Sequence, residues 1–431
     1  MRPADSTAAQ APRLFAIMGG AAGNFIEWYD WFAYSSFSLY FAAAFFPASD
    51  ELDRRLQAAA VFAVGFLARP AGAWLMGVFA DRHGRKAALT ASVAAMCGGS
   101  ALIALTPSAH TIGVAAPVLL TLARLIQGLS IGGEYGASAV YISEMAGRDR
   151  RGFWSSFQFV TLIGGQIAAL AVLILLQHVL TDAQLQAWGW RIPFWVGAGF
   201  AVVVWLIQSR LDETDAFKAE RGRARTGSRT GQLLRDHRKE TAMVFVLTAA
   251  GSLTFYSFTT YMQKFLTGSG HFSKTAATNI SAASLVIFLL VQPLFGVMGD
   301  RFGRRAALIL AFAGGAITTV PILTALSHTT TAPEALFLVC AALFFLAPYT
   351  AVNAVVKAEL FPTGVRGIGV ALPYALANAL FGGTAELVAE TFRKAGLESG
   401  FFVYVSLVAA AALLVAVRMR EVRGADLTSA G

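Results

Sequence analysis

The sequence is poor in charge. Only 14% of its 431 residues are Asp, Glu, Lys or Arg, whereas 56% are hydrophobic and the mean hydropathy is +0.60. Soluble domains carry about a quarter charged residues, so this composition excludes an ordinary soluble protein and indicates a chain that lies in lipid. The 41 glycines fit that environment, because small residues let membrane helices pack closely.

Cysteine is nearly absent as well. Cys97 and Cys340 stand in apolar runs in different halves of the chain, which excludes a disulfide framework and argues against a thiolate metal site. We therefore expect neither a metal nor a cofactor. The start of the chain lacks a signal-peptide layout, because the first apolar stretch is too long and carries acids. We expect that stretch to remain as the first helix.

The basic balance does not indicate nucleic-acid binding. A net charge of +9 would suit nucleic acid if the basic residues gathered on one water-facing surface. They stand instead in short loops between apolar runs. Their distribution therefore bears on membrane topology, and no nucleic-acid partner is expected.

Long uncharged runs are what the chain does have. Several reach the ~20 residues that a ~30 Å hydrocarbon layer requires. Divided at turn signals such as Thr106-Pro107-Ser108, they predict an all-α membrane protein with twelve spanning helices. We place the helices near residues 14–45, 56–80, 87–106, 115–145, 153–179, 192–211, 241–267, 275–299, 305–327, 334–358, 366–392 and 398–418.

Lysine and arginine predict the orientation. With the N-terminus in the cytoplasm, the inner segments hold 24 of them and the outer loops hold 6. Positive residues favour the cytoplasmic side of a membrane. The asymmetry therefore predicts that both termini are cytoplasmic.

One loop motif occurs twice. Asp81-Arg82-His83-Gly84-Arg85 closes the second predicted helix, and Asp300-Arg301-Phe302-Gly303-Arg304 closes the eighth, 219 residues later. A Glu followed seven residues later by Arg also recurs, at an offset of 215 residues. Two patterns at nearly one spacing predict two six-helix bundles related by a pseudo-two-fold axis along the membrane normal. The bundles are expected at 1–211 and 241–431, joined by an Arg-rich cytoplasmic linker at 212–240.

The repeated motif predicts a cytoplasmic gate. Its glycine permits a tight reversal, its aspartate can face a basic side chain or a helix N-terminus, and its arginines can reach acids on neighbouring helices. The alternative is that the basic residues only anchor the chain by the positive-inside rule. The gate residues we predict are Asp81, Arg82, Arg85, Glu144, Arg151, Asp300, Arg301, Arg304, Glu359 and Arg366.

Three charges lie within the first two predicted helices. A charged side chain at mid-membrane costs ~2.5–3.5 kcal/mol, so it is expected to face a partner or a wet cavity. Glu27 and Asp30 are three residues apart, which predicts that they share one face of their helix, and Arg69 is placed to neutralise one of them. The other carboxylate would then exchange a proton. The alternative is a structural ion pair with no role in transport.

Further charges favour a small anion as ligand. Arg124 and Glu134 lie in the fourth predicted helix, Lys264 in the seventh, and Glu386, in the eleventh, is a possible partner of Lys264. Alternatively, Lys264 extends to the interface. Three buried cations suit a molecule that carries carboxylates. Uncharged polar residues complete the predicted cavity, namely Tyr34, Gln166, Tyr256, Tyr374 and Asn378, although any one of them is more often an interhelical hydrogen bond.

Several motifs resemble one transporter family. They are Gly23-Asn24-Phe25-Ile26-Glu27-Trp28-Tyr29-Asp30, Phe66-Leu67-Ala68-Arg69-Pro70, Gly132-Gly133-Glu134-Tyr135-Gly136 and Trp188-Gly189-Trp190-Arg191-Ile192-Pro193. On them the chain resembles the major facilitator superfamily, in its metabolite–proton symporter branch. Within that branch it most resembles the bacterial 2-oxoglutarate permeases, through the segments at 157–166, 250–264, 357–362 and 374–383.

The resemblance implies proton-coupled uptake of a small dicarboxylate across the bacterial inner membrane by alternating access. By position it makes Glu27, Asp30 and Glu134 candidates for the proton, and Arg69, Arg124 and Lys264 candidates for the substrate. Citrate, another organic acid or a zwitterionic osmolyte remain alternative substrates. A membrane enzyme is disfavoured, because the sequence shows no nucleophile–base set, ligand cluster or phosphate loop. The expected partners are the substrate, a proton and the lipid bilayer, and we expect a monomer.

Overall fold

A computed structural model describes residues 10–47, 50–83, 85–131, 139, 143, 146–209 and 229–424. Within those ranges the regular structure is helical and contains no strand. Twelve helices are numbered here in chain order. They are α1 Gln10–Phe45, α2 Glu51–His83, α3 Arg85–Leu105, α4 Ala115–Ile131, α5 Arg151–Val179, α6 Ile192–Ser209, α7 Arg238–Phe258, α8 Lys274–Phe302, α9 Arg304–His328, α10 Ala332–Leu360, α11 Thr363–Lys394 and α12 Glu398–Arg418.

Most of these helices could cross a membrane. Among the described residues, eight helical segments are long and apolar enough: the stretch Glu51–Met76 of α2, and α5 and α7 to α12. Thr90–Leu105 in α3 and Ala115–Ser130 in α4 are shorter apolar stretches. The predicted all-α membrane architecture is therefore confirmed.

The packing repeats every six helices. In the N-terminal bundle, α1–α6, helix α1 packs on α5, α2 on α4, α3 on α4 and α3 on α6. In the C-terminal bundle, α7–α12, the corresponding pairs are α7 with α11, α8 with α10, α9 with α10 and α9 with α12. The two bundles meet where α5 packs on α8 and α10, and where α2 packs on α11. The duplication predicted from the loop motif is thus present in the packing.

Two predicted helices are interrupted. The seventh, expected as one span over 241–267, ends at Phe258 and resumes as Met262–Gly268. The eleventh contains a π-helical turn, Asn378–Gly382. A Cβ on Gly383 would lie 2.2 Å from the Phe66 side chain, so glycine lets α11 approach α2 closely. Hydrophobicity alone does not show such breaks, and π-turns are frequent at functional sites.

The predicted linker is only partly described. Residues 212–228 lie outside the described ranges. Residues Arg229–Asp236 form a short helix, and Leu233 belongs to one hydrophobic cluster with Phe361 and Val365 of the C-terminal bundle. The seventh helix therefore begins at Arg238, three residues before the predicted 241. The boundaries at 211 and 240 remain a prediction.

Candidate functional site

Two buried arginines share one tryptophan at the centre of the N-terminal bundle. The guanidinium of Arg124 lies 3.7 Å from the ring centre of Trp31, and that of Arg69 lies 4.3 Å from it. Arg69 also stacks on Phe66 at 4.1 Å, and Arg124 on Tyr34 at 4.5 Å. Aromatic faces attract cations, which lets the arginines remain charged away from water. The structure therefore brings together two of the three cations predicted to bind substrate.

Each of these arginines has donors to spare. Within the described residues, Nε and Nη2 of both Arg69 and Arg124 are buried and have no hydrogen-bond partner. Nε and Nη2 form the edge of a guanidinium that can grip both oxygens of one carboxylate. The two edges could each bind one carboxylate of a molecule that has two.

Asp30 is the acceptor of a polar chain beside the arginines. Ser100 Oγ donates to Asp30 Oδ1 at 2.5 Å, and Gln127 Nε2 donates to Oδ2. Arg124 Nη1 in turn donates to Gln127 Oε1 at 2.7 Å. Ser100 and Gln127, which the sequence analysis did not select, thus link the carboxylate to an arginine. Both are uncharged residues inside apolar runs, and nothing in the sequence distinguishes them from residues that make ordinary interhelical contacts.

Glu27 has a different environment from Asp30. Both side chains are buried; Asp30 contacts α3 and α4 of its own bundle, and Glu27 lies near Tyr256 and Tyr374 of the other bundle. Arg69 lies near the same two tyrosines. The described contacts of Asp30 thus lie within its own bundle, and Glu27 is also near residues of the other bundle.

The polar residues of the C-terminal bundle surround a small central cavity. The cavity has a volume of about 10 Å³, which holds at most one water molecule. A dicarboxylate does not fit in this cavity, so binding of substrate there requires the surrounding helices to move apart. The cavity is lined by Phe159, Leu162, Gly251, Ser252, Phe255, Tyr256, Tyr349, Asn353, Tyr374 and Asn378.

The other two predicted cavity residues belong to the N-terminal bundle. Tyr34 donates its hydroxyl to the carbonyl of Ala58 at 3.0 Å, besides carrying Arg124 on its ring. Gln166 on α5 is buried, and its Oε1 has no partner within the described residues. Tyr34 therefore positions an arginine, and Gln166 offers a spare acceptor between the helices.

Lys264, the third predicted cation, forms an ion pair of its own. Its Nζ lies 2.5 Å from Glu386 Oε1 and 2.9 Å from Ser35 Oγ. Ser35 Oγ also donates to Glu386 Oε2 at 3.3 Å. The predicted partnership of Lys264 and Glu386 is therefore confirmed, and the alternative in which Lys264 extends to the interface is wrong. Ser35 belongs to α1, so this cluster joins the two bundles.

The Lys264 cluster lies at the face where α1 ends and α2 begins. The sequence predicts this to be the outer face, and three more contacts close it. Arg55 of α2 donates to the carbonyl of Lys264 at 3.4 Å. Lys394 of α11 forms an ion pair with Asp53 of α2. Lys274 of α8 donates to the carbonyl of Leu39 at 3.3 Å. All three connect the N-terminal bundle to the C-terminal one, so this face is shut.

The opposite face is held by Asp300 of the second motif. Its carboxylate accepts the backbone N–H groups of Gly152 and Phe153, at 2.7 and 2.8 Å, at the N-terminus of α5. It also accepts from Arg304 Nη1 at 2.8 Å. A carboxylate at a helix N-terminus is stabilised by the helix dipole. Both contacts predicted for this aspartate, the basic side chain and the helix N-terminus, are present together.

The motif glycine and one glutamate complete this gate. Gly303 has φ 100°, a conformation that favours glycine and makes the tight reversal between α8 and α9. Glu359 accepts from Arg151 Nη1 at 3.4 Å and from Arg304 Nε at 3.3 Å. Arg151 belongs to α5 and Glu359 to α10, so the pair connects the bundles. This half of the predicted gate exists as a network.

The remaining gate predictions have mixed outcomes. Arg366 is buried and donates to the carbonyls of Ala358 and Phe361 at 3.1 and 3.2 Å, so it fastens the α10–α11 turn. Arg301 is exposed, and its carbonyl accepts from Arg423. Five predictions fall outside what is described: residues Glu134 and Glu144, and the side chains of Asp81, Arg82 and Arg85.

Replacing Asp300 with asparagine is expected to loosen this gate. Asparagine removes the charge facing Arg304 and places an amide donor against an N–H group of α5. The loss of a charge-assisted contact costs about 1–3 kcal/mol. The fraction of molecules with an open gate should therefore rise about tenfold or more. Labelling of a Ser155→Cys thiol, in a background with Cys97→Ala and Cys340→Ala, should accelerate accordingly. Ser155 is buried between the bundles, where it accepts from Val355 N at 3.2 Å.

Asp149→Asn is the matched control, because Asp149 is an exposed acid two residues before α5. It should leave the labelling rate unchanged. Equal rates in Asp300→Asn and the parent would show that the contact does not hold the face shut.

The described residues contain no group of three or more His, Cys, Asp or Glu side chains able to hold a metal ion. The polar groups described at the centre are guanidinium groups, carboxylates, amides and hydroxyls. Such groups bind anions and exchange protons.

The chain is similar to known transporters in both sequence and fold. The sequence model of the sugar (and other) transporter family matches residues 16–232 and 218–430. The alpha-ketoglutarate permease of Escherichia coli strain K12 is 49% identical over 409 residues, 95% of this chain and 94% of the permease. The citrate-proton symporter of Klebsiella pneumoniae is 34% identical over 386 residues, 87% of this chain and 84% of the symporter. A solved D-xylose-proton symporter superposes with a TM-score of 0.76 at 20% identity, covering 95% of this chain and 99% of that one, which shows the fold.

Proposed function

The chain belongs to the sugar (and other) transporter family of the major facilitator superfamily, and from that premise we propose that it imports 2-oxoglutarate together with protons. Members of the family are transporters, so the chain is a transporter and not an enzyme. It is a multi-pass membrane protein. We further propose that it lies in the bacterial inner membrane, as its bacterial transporter relatives suggest. The charge asymmetry of its loops supports cytoplasmic termini. The monomeric state is an expectation.

The observation that carries the substrate class is the pair of unpartnered guanidinium edges on Arg69 and Arg124. A buried arginine without acceptors is costly to leave in place, and a dicarboxylate supplies two pairs of acceptor oxygens. The aromatic faces of Trp31 and Phe66 keep both guanidinium groups oriented before the substrate arrives. The 49% identical permease supports 2-oxoglutarate as the particular dicarboxylate.

The proton has a physical purpose. Carrying one negative charge into a cell against a negative-inside potential costs ~2.3 kcal/mol per 100 mV, and a dianion costs twice as much unless protons accompany it. Asp30 is the site we assign to a transported proton, because the chain from Asp30 through Gln127 to Arg124 couples its charge to the anion site. Glu27 and Glu134 remain further candidates.

Two clusters alternate in this proposal. The Lys264–Glu386–Ser35 cluster seals the outer face, and the Asp300–Arg304–Glu359–Arg151 network seals the cytoplasmic face. Both are formed in this structure, and the cavity of about 10 Å³ lined by Tyr256, Tyr374 and Asn378 is too small for substrate. Residues 1–211 and 241–431 act as the two moving bodies, with 212–240 as their linker.

Counterflow identifies the substrate. Purified protein in liposomes loaded with unlabelled 2-oxoglutarate is expected to take up labelled 2-oxoglutarate. Loading with citrate or with a zwitterion such as proline should give little or no uptake. Citrate is the second candidate, on the 34% identical symporter. Stronger counterflow with citrate than with 2-oxoglutarate would transfer the assignment to it.

Lys264→Ala tests whether the lysine also contacts the substrate during the cycle. The single substitution leaves Glu386 buried with Ser35 alone, and breaking a buried pair costs about 3–5 kcal/mol. Uptake should fall by about a hundredfold or more. The double variant Lys264→Ala with Glu386→Gln removes the unpaired charge of Glu386. The amount of this variant in the membrane should equal that of the parent, and its uptake should still be lost. Recovered uptake in the double variant would reduce Lys264 to a partner of Glu386.

A further inference from the structure

A second buried acid stands one helical turn beyond Glu386, and its surroundings differ from those of its neighbour. Glu390 on α11 is 0% exposed, and neither of its carboxylate oxygens has a hydrogen-bond partner within the described residues. Glu386, by contrast, receives Lys264 Nζ and Ser35 Oγ. The substrate and proton sites assigned above do not use Glu390.

The nearest cation does not supply the missing hydrogen bonds. Arg393 Nη1 lies 3.8 Å from Glu390 Oε2, beyond hydrogen-bond distance, and Arg393 is itself one-quarter exposed. A buried carboxylate is stabilised by a cation only when the geometry is good and its remaining lone pairs are satisfied. Without donors, the ionised form of a fully buried carboxyl is far more costly than the neutral form.

Glu390 also lies where the two bundles part. The end of α11 packs on α2, which belongs to the other bundle, at the face closed by Asp53 and Lys394. Separation of α2 from α11 would therefore expose the carboxyl to water. The charged and titratable groups around it are Arg55 and Glu51 of α2, Tyr261 and Lys264 at the interruption of α7, Glu386 and Arg393 of α11, and Glu398 of α12.

We propose that Glu390 is a proton-binding site of the outer gate: it takes a proton from the outer solution when the gate is open, and the gate closes only over the neutral carboxyl. The proton returns to the same side when the gate reopens. This proton is thus distinct from the one assigned to Asp30, which lies among α1, α3 and α4. The inference rests on the alternating access proposed above, but not on the identity of the substrate.

The sign of the effect follows directly. Closure binds one proton, so alkaline solution disfavours the closed gate. Over the titrating range, the ratio of open to closed gates should rise about tenfold for each pH unit. Glu390→Gln carries a permanently neutral side chain of the same shape, so its ratio of open to closed gates should not change with pH.

Spin labels measure this without substrate. Cysteines replacing the exposed Gln57 on α2 and Leu397 before α12, in a background with Cys97→Ala and Cys340→Ala, place one label on each bundle at this face. In lipid nanodiscs, the distance distribution of the parent should shift to longer values as pH rises, and that of Glu390→Gln should not. Glu334→Gln is the matched control, because Glu334 is an exposed acid at the start of α10, and it should follow the parent.

Three results would overturn the proposal: a parent whose distances do not respond to pH, a Glu390→Gln variant that opens in parallel with the parent, or a variant that fails to fold. The last is decisive because a carboxyl that is neutral in the folded state should tolerate glutamine. Infrared spectroscopy gives a second readout. The band of protonated carboxylic acids should lose intensity in Glu390→Gln and keep it in Glu334→Gln. Since no substrate is present, failure of 2-oxoglutarate counterflow would leave these measurements interpretable.

Discussion

Arg124→Lys is expected to reduce uptake of 2-oxoglutarate by about two orders of magnitude or more, although the protein still reaches the membrane. Arg124 is fully buried, lies 3.7 Å from the ring centre of Trp31 and donates to Gln127 at 2.7 Å. Lysine keeps the charge but lacks the planar fork, so it loses the stacking, the contact with Gln127 and the free edge at once. Truncating a buried charged contact typically costs about 2–5 kcal/mol. The lower end of that range corresponds to a reduction of about thirtyfold in affinity.

The measurement is the initial rate of labelled uptake in liposomes, normalised to the amount of inserted protein. Arg191→Lys is the control, because Arg191 also stacks on a tryptophan, Trp190 at 4.1 Å, but lies in a connecting turn away from the centre. Its rate should stay close to that of the parent. An Arg124→Lys variant that transports as fast as Arg191→Lys would remove Arg124 from the substrate site.

Asp30→Asn is expected to abolish concentrative uptake while leaving exchange in place. Asparagine resembles the protonated acid, so the variant should still bind 2-oxoglutarate and carry it in both directions. It has no proton to release, and under a pH gradient of one unit its accumulation should fall by about tenfold for each proton it no longer couples. The expected signature is normal counterflow with no response to the gradient.

Asparagine also disturbs the polar chain, because Ser100 and Gln127 both donate to Asp30 and one of them would now face an amide donor. That contact costs about 1–3 kcal/mol, so protein amounts must be compared. Asp182→Asn is the control, since Asp182 is an exposed acid at the start of a short helix. Loss of counterflow and accumulation together in Asp30→Asn would assign Asp30 to substrate binding or folding, and not to coupling.

The sequence predicted the architecture well because its signals are strong ones. Lipid requires about twenty apolar residues per span, and the doubled Asp-Arg-x-Gly motif identified the repeat. The charges of Lys264 and Glu386 predicted their pairing, because an unpaired charge in a membrane is costly. Charge and spacing therefore determine much of the fold and one ion pair.

Other features depend on distances that a sequence does not contain. Nothing in the runs around Ser100 and Gln127 shows that their side chains converge on Asp30, because that depends on how α3 and α4 rotate about their axes. Nor does the spacing of Glu27 and Asp30 show that Glu27 lies near Tyr256 and Tyr374 of the other bundle. Glu390 was missed for a further reason: its significance lies in the hydrogen bonds it lacks, which only the packed structure shows.

Proton-driven accumulation tests the central claim most directly. In liposomes that contain only this protein, an inward proton gradient should drive labelled 2-oxoglutarate above its outside concentration, and a proton uncoupler should bring it back to equilibrium. Uptake that the uncoupler leaves unchanged, or that never exceeds equilibrium despite active counterflow, would contradict proton-coupled symport.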